Sequence, residues 1–287
     1  MSIRTNGTEE RHNLSKRYKI APTGETLPFV DFNGISMYYE ESGEGTPVVL
    51  ITGFSGDTTF FKALIPELAE EHRVIVFDNR GAGQTIYPGG DIDHQDFVDD
   101  VVCLFDHLGI EKAHVLGWSM GGHIAQEFAI QNPERLISLT LVSAYPYRPA
   151  RSSYFMNGIC DCAVKGASSE YISMMTNAFC FTEDFFSGME AKGKVLRSLT
   201  NLDAKGCKAQ MHALDQFDTR EKLHLINAPT LSVHGLNDIM VEPILGDYIS
   251  DRIPDCKVLR IENVGHIIRP SLYSEEFKKH IADHDLA

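Results

Sequence analysis

The sequence lacks any apolar run that could cross a membrane. A spanning helix needs roughly 18 consecutive apolar residues. No stretch of the 287 residues approaches that length, although 43% of them are hydrophobic. The polar stretch that begins Met1-Ser2-Ile3-Arg4 also lacks the apolar segment of a secretory signal. We therefore expect a cytoplasmic globular protein that does not associate with membranes.

Basic residues are also scarce. The chain has 26 lysine and arginine residues against 40 aspartate and glutamate residues, which gives a formal net charge of −14. An acidic surface repels the phosphates of nucleic acids and of anionic membranes. The charge balance therefore argues against nucleic acid as a partner, while it says little about a substrate, because the field at a site is local.

Cysteine pairs with the spacing of a metal site are missing. The six cysteines lie at positions 103, 160, 162, 180, 207 and 256, and the only close pair has one residue between its members. Zinc sites use wider cysteine spacings that are completed by histidine, and no nearby histidines complete such a pattern. We expect six reduced thiols, as is usual in the cytoplasm, and no metal ion.

A nucleotide-binding loop is absent as well. The run 78–85 contains two glycines, but it does not end in Gly-Lys-Ser/Thr and lacks the third glycine of a dinucleotide fingerprint. We interpret the run as a structural turn in which Asp78 and Arg80 tie loops together. The sequence therefore predicts no nucleotide and no other organic cofactor.

The chain does contain a regular alternation of apolar strands and amphipathic helices. Strands are predicted at 47–52, 74–77, 115–117, 137–142, 230–234 and 258–261, and helices at 59–71, 92–108, 120–131 and about 274–283. An Asn33-Gly34 turn joins two further short strands within 31–40. Apolar strands that alternate with helices indicate an α/β fold with a mostly parallel central sheet, flanked by helices on both faces.

One long segment interrupts this alternation. Residues 144–225 contain no convincing strand, and a structureless loop of that length is unusual in a compact domain. We predict a helical cap insertion at 144–225, a core at 26–143 and 226–287, and a mobile arm at 1–25. Seven side chains of the insertion either pack it onto the core or line an apolar pocket: Met174, Met175, Phe179, Phe181, Phe185, Phe186 and Met189.

The run Gly117-Trp118-Ser119-Met120-Gly121 stands between a predicted strand and a predicted helix. In that context G-x-S-x-G is the sequence form of a nucleophile elbow, a sharp turn that exposes a serine hydroxyl at the edge of the sheet. Small residues two positions before and after the serine let neighbouring backbones pass close by. Ser119 is therefore the candidate nucleophile.

A serine hydroxyl needs a base to remove its proton and a third group to orient that base. Asp238 and His266 each follow a predicted strand, so both are expected at the sheet edge that carries Ser119. The chain order Ser, Asp, His is the order expected for this elbow. His234 is the competing base, but its position before Gly235 at a strand end favours a role in holding a loop.

An oxyanion that forms beside Ser119 needs two fixed hydrogen-bond donors. One candidate is the backbone N–H of Met120, directly after the nucleophile. The other is the N–H of Phe54 in the glycine-containing loop 52–56. The residues that we assign to substrate binding are Gly53, Trp118, Phe179 and Phe181.

Taken together, these motifs resemble the α/β-hydrolase superfamily over almost the whole chain, from about residue 27 to 284. The most similar branch contains 3-oxoadipate enol-lactonases, small esterases and cofactor-free haloperoxidases. The stretches that carry the resemblance are 117–122, 78–83, 234–238 and 265–266.

The resemblance implies an α/β-hydrolase fold in which Ser119 is the nucleophile, His266 the base and Asp238 the orienting acid. The two backbone donors named above would form the oxyanion hole. The oxyanion loop commonly begins His-Gly in this family, whereas this chain has Thr52 at the first position. A backbone donor does not depend on that side chain, so we expect activity to survive the change.

The predicted function is hydrolysis of a carboxylic ester or lactone of a small, largely apolar substrate, through an acyl-enzyme and without a cofactor. One alternative is carbon–carbon bond hydrolysis of a β-diketone-like substrate, which Trp118 disfavours because that class often carries Asn at this position. Another alternative is a ligand-binding sensor on the same fold. A homodimer formed through the insertion is a further hypothesis.

Overall fold

The structure is a computed structural model, and it describes residues 17–20, 26–190 and 203–285. Within these ranges a single sheet contains nine strands: β1 (Arg17–Ile20), β2 (Thr26–Phe32), β3 (Ile35–Ser42), β4 (Thr46–Ile51), β5 (His72–Phe77), β6 (Ala113–Trp118), β7 (Leu136–Val142), β8 (Thr230–Gly235) and β9 (Cys256–Ile261). Their order across the sheet is β1-β2-β3-β5-β4-β6-β7-β8-β9.

The larger part of the sheet is parallel. Neighbouring strands are parallel from β5 through β4, β6, β7 and β8 to β9, whereas β1, β2, β3 and β5 pair antiparallel. The register places Val49 of β4 between Ile75 of β5 and Val115 of β6. The predicted α/β fold with a mostly parallel sheet is therefore confirmed.

Helices flank the sheet and cover the site region. They are α1 (Ile65–Leu68), α2 (His94–Leu108), α3 (Met120–Gln131), α4 (Ala150–Val164), α5 (Ser169–Cys180), α6 (Glu183–Glu190), α7 (Ala204–Asp215), α8 (Pro243–Ser250) and α9 (Ser274–Ala282). α2 begins at a capping box formed by Asp93 and Asp96, and it ends at Gly109 with a φ of 64°. Across the described ranges, no helix combines the length and the apolar character that a membrane crossing requires.

The predicted continuous helix at 59–71 is wrong. The chain forms a 3-10 turn at Thr58–Phe61 and then the short helix α1. Pro66 lies in the first turn of α1, where its missing N–H is tolerated. In the middle of a longer helix the same proline would remove a hydrogen bond and clash with the preceding turn.

Two apolar cores lie on opposite faces of the sheet. Along β4, Val49 and Ile51 belong to the core that α2 and α3 share, while Val48 and Leu50 belong to the core that α9 shares. This alternation is the two-residue period of a strand. β4 reads as a continuous apolar run in the sequence because both of its faces are buried.

Four helices, α4 to α7, lie between β7 and β8 in the described part of the chain. A disulfide joins Cys160 of α4 to Cys207 of α7, and the Cα atoms of the pair are 5.9 Å apart. The prediction of six reduced thiols is therefore wrong for these two cysteines. They are 47 positions apart in the sequence, so only the packing of α4 against α7 brings them into bonding range.

Most of the predicted mobile arm at 1–25 lies outside the described residues, as do residues 191–202 of the predicted insertion. The exception in the arm is β1, which pairs antiparallel with β2 where the sequence analysis predicts no strand. The run Arg-Tyr-Lys-Ile does alternate in polarity, but four residues are too few to identify a strand from pattern alone.

Candidate active site

The predicted site residues lie in loops at the carboxyl ends of parallel strands. Ser119 follows β6, Asp238 lies in the loop after β8 and His266 lies in the loop after β9. Parallel strands end at one edge of the sheet, which is where ligands bind in open α/β folds. The topology therefore brings together three residues that are up to 147 positions apart.

Ser119 has the strained backbone of a strand-to-helix elbow. Its φ is 54° and its ψ is −115°, and α3 begins at the next residue. A Cβ atom on Gly121 would lie 2.2 Å from the carbonyl oxygen of Ile51, and one on Gly117 would lie 2.2 Å from the carbonyl oxygen of Gly121. Both glycines are therefore required by the close approach of neighbouring backbones.

A chain of hydrogen bonds links the three candidate catalytic side chains. The Ser119 hydroxyl Oγ lies 3.0 Å from Nε2 of His266, and Nδ1 of His266 lies 2.8 Å from Oδ2 of Asp238. The other carboxylate oxygen of Asp238 accepts hydrogen bonds from the N–H groups of Met240 and Val241, at 2.9 and 2.8 Å. All four hydrogen-bonding distances are those of well-formed bonds.

The electrostatics of the site fix the direction of these hydrogen bonds. Burial by itself would raise the pKa of Asp238, but the positive charge that His266 carries when it is protonated, and hydrogen bonds from His234 and His266, lower the pKa to about 2. Asp238 is therefore ionised at neutral pH and only accepts hydrogen bonds. Nδ1 of His266 must then carry the proton, which leaves Nε2 free to accept the hydrogen bond of the Ser119 hydroxyl.

The backbone of His266 is anchored by two side chains at the ends of other strands. Ser143, directly after β7, donates its hydroxyl to the carbonyl oxygen of His266 at 2.8 Å. The indole N–H of Trp118 donates to the same oxygen at 3.3 Å. The sequence analysis did not identify Ser143. The one signal that could have done so is its position directly after an apolar strand, at the sheet edge where the site lies.

The structure shows no hydrogen bond between the described side chains of His234 and Ser119. Nε2 of His234 donates to the carbonyl oxygen of Val241 at 3.0 Å and lies 3.4 Å from Oδ2 of Asp238. The ring therefore braces the loop that carries Asp238, in agreement with its interpretation as a loop-holding residue. His266 is the histidine within hydrogen-bonding distance of the Ser119 hydroxyl.

The loop after β4 is held in a tight turn. Gly56 donates its N–H to the carbonyl oxygen of Gly53 at 3.0 Å, and the buried hydroxyl of Thr52 donates to the carbonyl oxygen of Gly56 at 3.2 Å. The Asn79 amide donates to the carbonyl oxygen of Thr52 at 3.0 Å. Thr52 thus helps to hold the loop through its hydroxyl and its carbonyl oxygen.

The backbone N–H groups of Phe54 and Met120 have no acceptor among the described residues. Met120 is the first residue of α3, so its N–H has no partner within the helix. Phe54 lines the same cavity as Ser119. The close contact between Gly121 and the end of β4 brings the start of α3 next to the loop that carries Phe54.

The glycine-containing run after β5 is a structural turn, as the sequence analysis interprets it. Its Asp78 carboxylate accepts hydrogen bonds from the N–H groups of Thr58 and Gln84, both at 2.7 Å. Burial raises the pKa of Asp78 to about 6. Arg80 binds Asp100 of α2 through two hydrogen bonds of 2.6 and 2.5 Å. These contacts tie together the loops that surround the site.

A cavity of about 100 Å³ lies above Ser119 and His266. Its lining is largely apolar, and most of its wall comes from α4, α5 and α7, together with Phe54, Phe60 and Trp118. The helical wall residues are Ser152, Met156, Ile159, Ile172, Ser173, Thr176, Asn177, Cys180, Met211 and Leu214. In the described ranges, no group of three or more His, Cys, Asp or Glu side chains is placed to hold a metal ion.

Three of the four residues predicted to bind substrate do not line this cavity. Trp118 does, but Gly53 lies beneath its ring, where a Cβ atom would be 2.5 Å from the indole. Phe179 stacks on Phe155 with a centroid distance of 4.0 Å, and Phe181 borders a separate surface cavity. None of the seven Met and Phe side chains singled out in the insertion lines the cavity.

The comparison with known proteins agrees with this architecture. Residues 46–269 match the model of the α/β hydrolase fold family. A pimeloyl-[acyl-carrier protein] methyl ester esterase of Aeromonas hydrophila is 26% identical, over 81% of this chain and 92% of the relative. A 3-oxoadipate enol-lactonase of Acinetobacter baylyi is also 26% identical, over 78% of this chain and 83% of the relative.

A solved structure extends the similarity to three dimensions. The thermophilic esterase of Thermogutta terrifontis, solved with malate bound, superimposes with a TM-score of 0.76 and 26% identity, covering 94% of this chain and 97% of the esterase. The family match alone spans more than half of the sequence. The chain therefore belongs to the α/β-hydrolase fold family, as its motifs predicted.

Proposed function

We propose that this protein is a serine hydrolase that cleaves a carboxylic ester or lactone through an acyl-enzyme. Ser119 is the nucleophile, His266 the general base and Asp238 the acid that orients it. The observation that carries the proposal is the unbroken hydrogen-bond chain from Ser119 to Asp238, at 3.0 and 2.8 Å, beneath a largely apolar cavity. Enol-lactonase and esterase relatives support the same class of reaction.

In the acylation step, His266 Nε2 accepts the Ser119 proton as Oγ attacks the substrate carbonyl carbon. The negative charge that develops on the carbonyl oxygen is stabilised by the N–H groups of Phe54 and Met120, which have no other acceptor among the described residues. The imidazolium then donates its proton to the leaving alkoxide. The ionised Asp238 stabilises that imidazolium and keeps its ring oriented.

In the deacylation step, water takes the place of the leaving alcohol. His266 removes a proton from the water molecule as its oxygen attacks the acyl carbon, and it returns that proton to Oγ of Ser119 as the bond between Oγ and the acyl carbon breaks. In a lactone the alkoxide stays attached to the acyl chain, so the product is a single hydroxy acid. The same residues perform both half-reactions, and no cofactor enters either of them.

The cavity favours a small and largely apolar acyl group. Its wall side chains are mainly aliphatic, aromatic and thioether groups, which stabilise an apolar ligand by burial. Arg148 also borders the cavity, but its guanidinium already binds Asp215 at 2.5 Å.

The cytoplasmic location and the homodimer remain predictions from the sequence.

The test is labelling with a fluorophosphonate probe, followed by intact-mass analysis. We expect one adduct on the wild type and none on Ser119→Ala. Ser138→Ala is the matched control, because Ser138 is also buried but binds His114 on β6, away from the site. We expect that variant to be labelled like the wild type. Absence of an adduct on the wild type would contradict an activated Ser119.

A substrate panel then identifies the bond that is cleaved. It contains p-nitrophenyl acetate and butyrate, small unsubstituted lactones and a β-diketone. We expect turnover of an ester or lactone, and a loss of several orders of magnitude in kcat for Ser119→Ala. Turnover of the β-diketone alone would favour carbon–carbon bond hydrolysis, and stoichiometric binding without turnover would favour a ligand-binding sensor.

A further inference from the structure

Gln210 of α7 connects the insertion to two loops of the core. Its side chain is fully buried, its amide oxygen accepts the N–H of Ser55 at 2.9 Å, and its amide nitrogen donates to the carbonyl oxygen of Arg80 at 2.8 Å. One residue thus satisfies a backbone donor in the loop after β4 and a backbone acceptor in the turn after β5. Gln210 does not line the cavity, so it does not touch substrate there.

Ser55 is the strained residue of its loop. Its φ is 52°, in the left-handed region that a non-glycine residue adopts only at a cost in free energy. The Ser55 hydroxyl is buried and has no hydrogen-bond partner among the described residues. Its side chain therefore does not stabilise the conformation. The backbone hydrogen bond to Gln210 is what holds Ser55 from outside its own loop.

The helix that carries Gln210 is itself fixed. Gly206 packs on the turn after β5, where a Cβ atom would lie 2.0 Å from the carbonyl oxygen of Gly81. Cys207 is bonded to Cys160 of α4. Both contacts lie within about one helical turn of Gln210. The amide oxygen that accepts the hydrogen bond from the Ser55 N–H therefore lies on a helix whose position is fixed.

We propose that Gln210 is a positioning residue for the oxyanion hole. By accepting the hydrogen bond from the Ser55 N–H, Gln210 fixes the peptide group that follows Phe54. This in turn orients the Phe54 N–H towards the developing oxyanion. The inference deepens the proposed function and rests on it, because Phe54 is a donor only if Ser119 forms a tetrahedral intermediate. Electrostatic stabilisation requires donors that are oriented before the reaction, and a displaced donor loses most of its effect.

The central experiment compares Gln210→Met with Gln126→Met. Methionine keeps the length of glutamine but forms neither hydrogen bond. Gln126 is a matched control, because it is equally buried and also bridges elements, through Gly122, Tyr145 and Thr219. We expect Gln210→Met to lower kcat on the best ester by about 10- to 100-fold with little change in KM. Gln126→Met should keep kcat.

A second readout separates positioning from a general loss of structure. A trifluoromethyl ketone that adds to Ser119 forms a charged hemiketal, whereas the matching alcohol binds without an oxyanion. We expect Gln210→Met to weaken binding of the ketone in proportion to the loss of kcat/KM and to leave binding of the alcohol unchanged. Equal weakening of both ligands would overturn the proposal, and so would unchanged kcat.

Amide hydrogen exchange tests the hydrogen bond without relying on activity. In Gln210→Met the peptide that covers 53–56 should exchange faster than in the wild type, while in Gln126→Met it should not. If the wild type shows no reaction with esters or the fluorophosphonate, the proposed function is wrong. Faster exchange at 53–56 in Gln210→Met would even then show that Gln210 holds this loop. Unchanged exchange would overturn that role.

A third variant covers the case in which Gln210→Met does not fold. Gln210→Glu keeps an oxygen acceptor for the Ser55 N–H, and its second oxygen donates to the Arg80 carbonyl oxygen when the buried carboxyl is protonated. We expect it to retain most of kcat and wild-type exchange at 53–56. A loss of kcat in a folded Gln210→Glu protein whose exchange at 53–56 is unchanged would contradict the assignment.

Discussion

At the scale of single residues, backbone strain is concentrated around the candidate site. Among the described non-glycine residues, five have positive φ angles, and three of them are serines in the segments that follow parallel strands: Ser55, Ser119 and Ser143. Ser119 is the proposed nucleophile, Ser143 anchors His266, and Ser55 is held by Gln210. Strained residues persist only where their surroundings fix them, and active sites are where they cluster.

Asp238→Asn should abolish most of the activity by changing the tautomer of His266. Asp238 uses one oxygen for the N–H groups of Met240 and Val241, so an asparagine would keep its oxygen there and turn its NH2 group towards Nδ1. Nδ1 must then release its proton, and the protonated Nε2 cannot accept from Ser119. We expect kcat to fall by about 10⁴-fold.

The control for this substitution is Asp247→Asn. Asp247 is a half-exposed acid on α8 that pairs with Arg260, so the change removes a charge of the same sign outside the site. Steady-state kinetics on the best substrate measure both variants. If Asp238→Asn kept more than a small fraction of wild-type kcat, the role assigned to Asp238 would be wrong.

The sequence predicted those candidate residues whose pattern is local. Ser119 could be predicted because the elbow needs glycines on both sides, and Asp238 and His266 because both follow apolar strands. Phe179 and Phe181 could not be excluded from the cavity, since their positions depend on how α5 is rotated against the core. The residues of α5 that do line the cavity recur at helical spacing, which is the signal that could have found them: Ile172, Ser173, Thr176, Asn177 and Cys180.

At the scale of elements, the contact between α7 and the turn after β5 fixes the position of the insertion. We predict that Gly206→Ala destabilises the protein by about 1 to 3 kcal/mol, because its Cβ would overlap the carbonyl oxygen of Gly81 at 2.0 Å. The contact is tight from both sides, since a Cβ atom on Gly81 would also lie 3.0 Å from the Cα atom of Gly206.

Gly158→Ala is the matched control on α4. No atom lies within 4 Å of a Cβ built on Gly158, so alanine should stabilise the helix by up to about 1 kcal/mol. Urea denaturation of both variants and the wild type measures the difference. A Gly206→Ala protein as stable as the wild type would show that α7 can shift without loss of packing.

Elements with a long, regular pattern were predictable, and those with short or interrupted patterns were not. The predicted helix at 120–131 matches α3 in full, because Asn132 and Pro133 end the pattern sharply. The predicted helix at 59–71 is wrong because the apolar pattern of the sequence continues across Pro66, whereas a regular helical backbone cannot continue through a proline. The Cys160–Cys207 disulfide had no local signal at all.

At the scale of the whole molecule, Asp78 makes stability depend on pH. Burial raises its pKa from 3.8 to about 6, so the folded protein binds this proton more tightly than the unfolded chain does. Its contribution to stability is therefore fully present below about pH 4 and is lost as the pH rises through 6. We expect the loss to be about 2 to 3 kcal/mol.

The measurement is the free energy of unfolding of the wild type and of Asp78→Asn between pH 4 and pH 7. Asparagine does not titrate. The free energy of unfolding of the wild type should therefore fall relative to that of the variant as the pH rises from 4 to 7. Asp238 does not interfere, since its pKa of about 2 places its own effect below pH 4. A difference independent of pH would contradict a raised pKa for Asp78.

The sequence by itself determined the family, the mostly parallel sheet and the order of the candidate catalytic residues. These features depend on local patterns, namely apolar strand periods and the glycines that an elbow requires. Only the tertiary structure decided which side chains of the insertion form the cavity, which cysteines pair, and that Gln210 supports the loop of Phe54. Each of these depends on how helices distant in sequence pack against the core, and no local pattern encodes that packing.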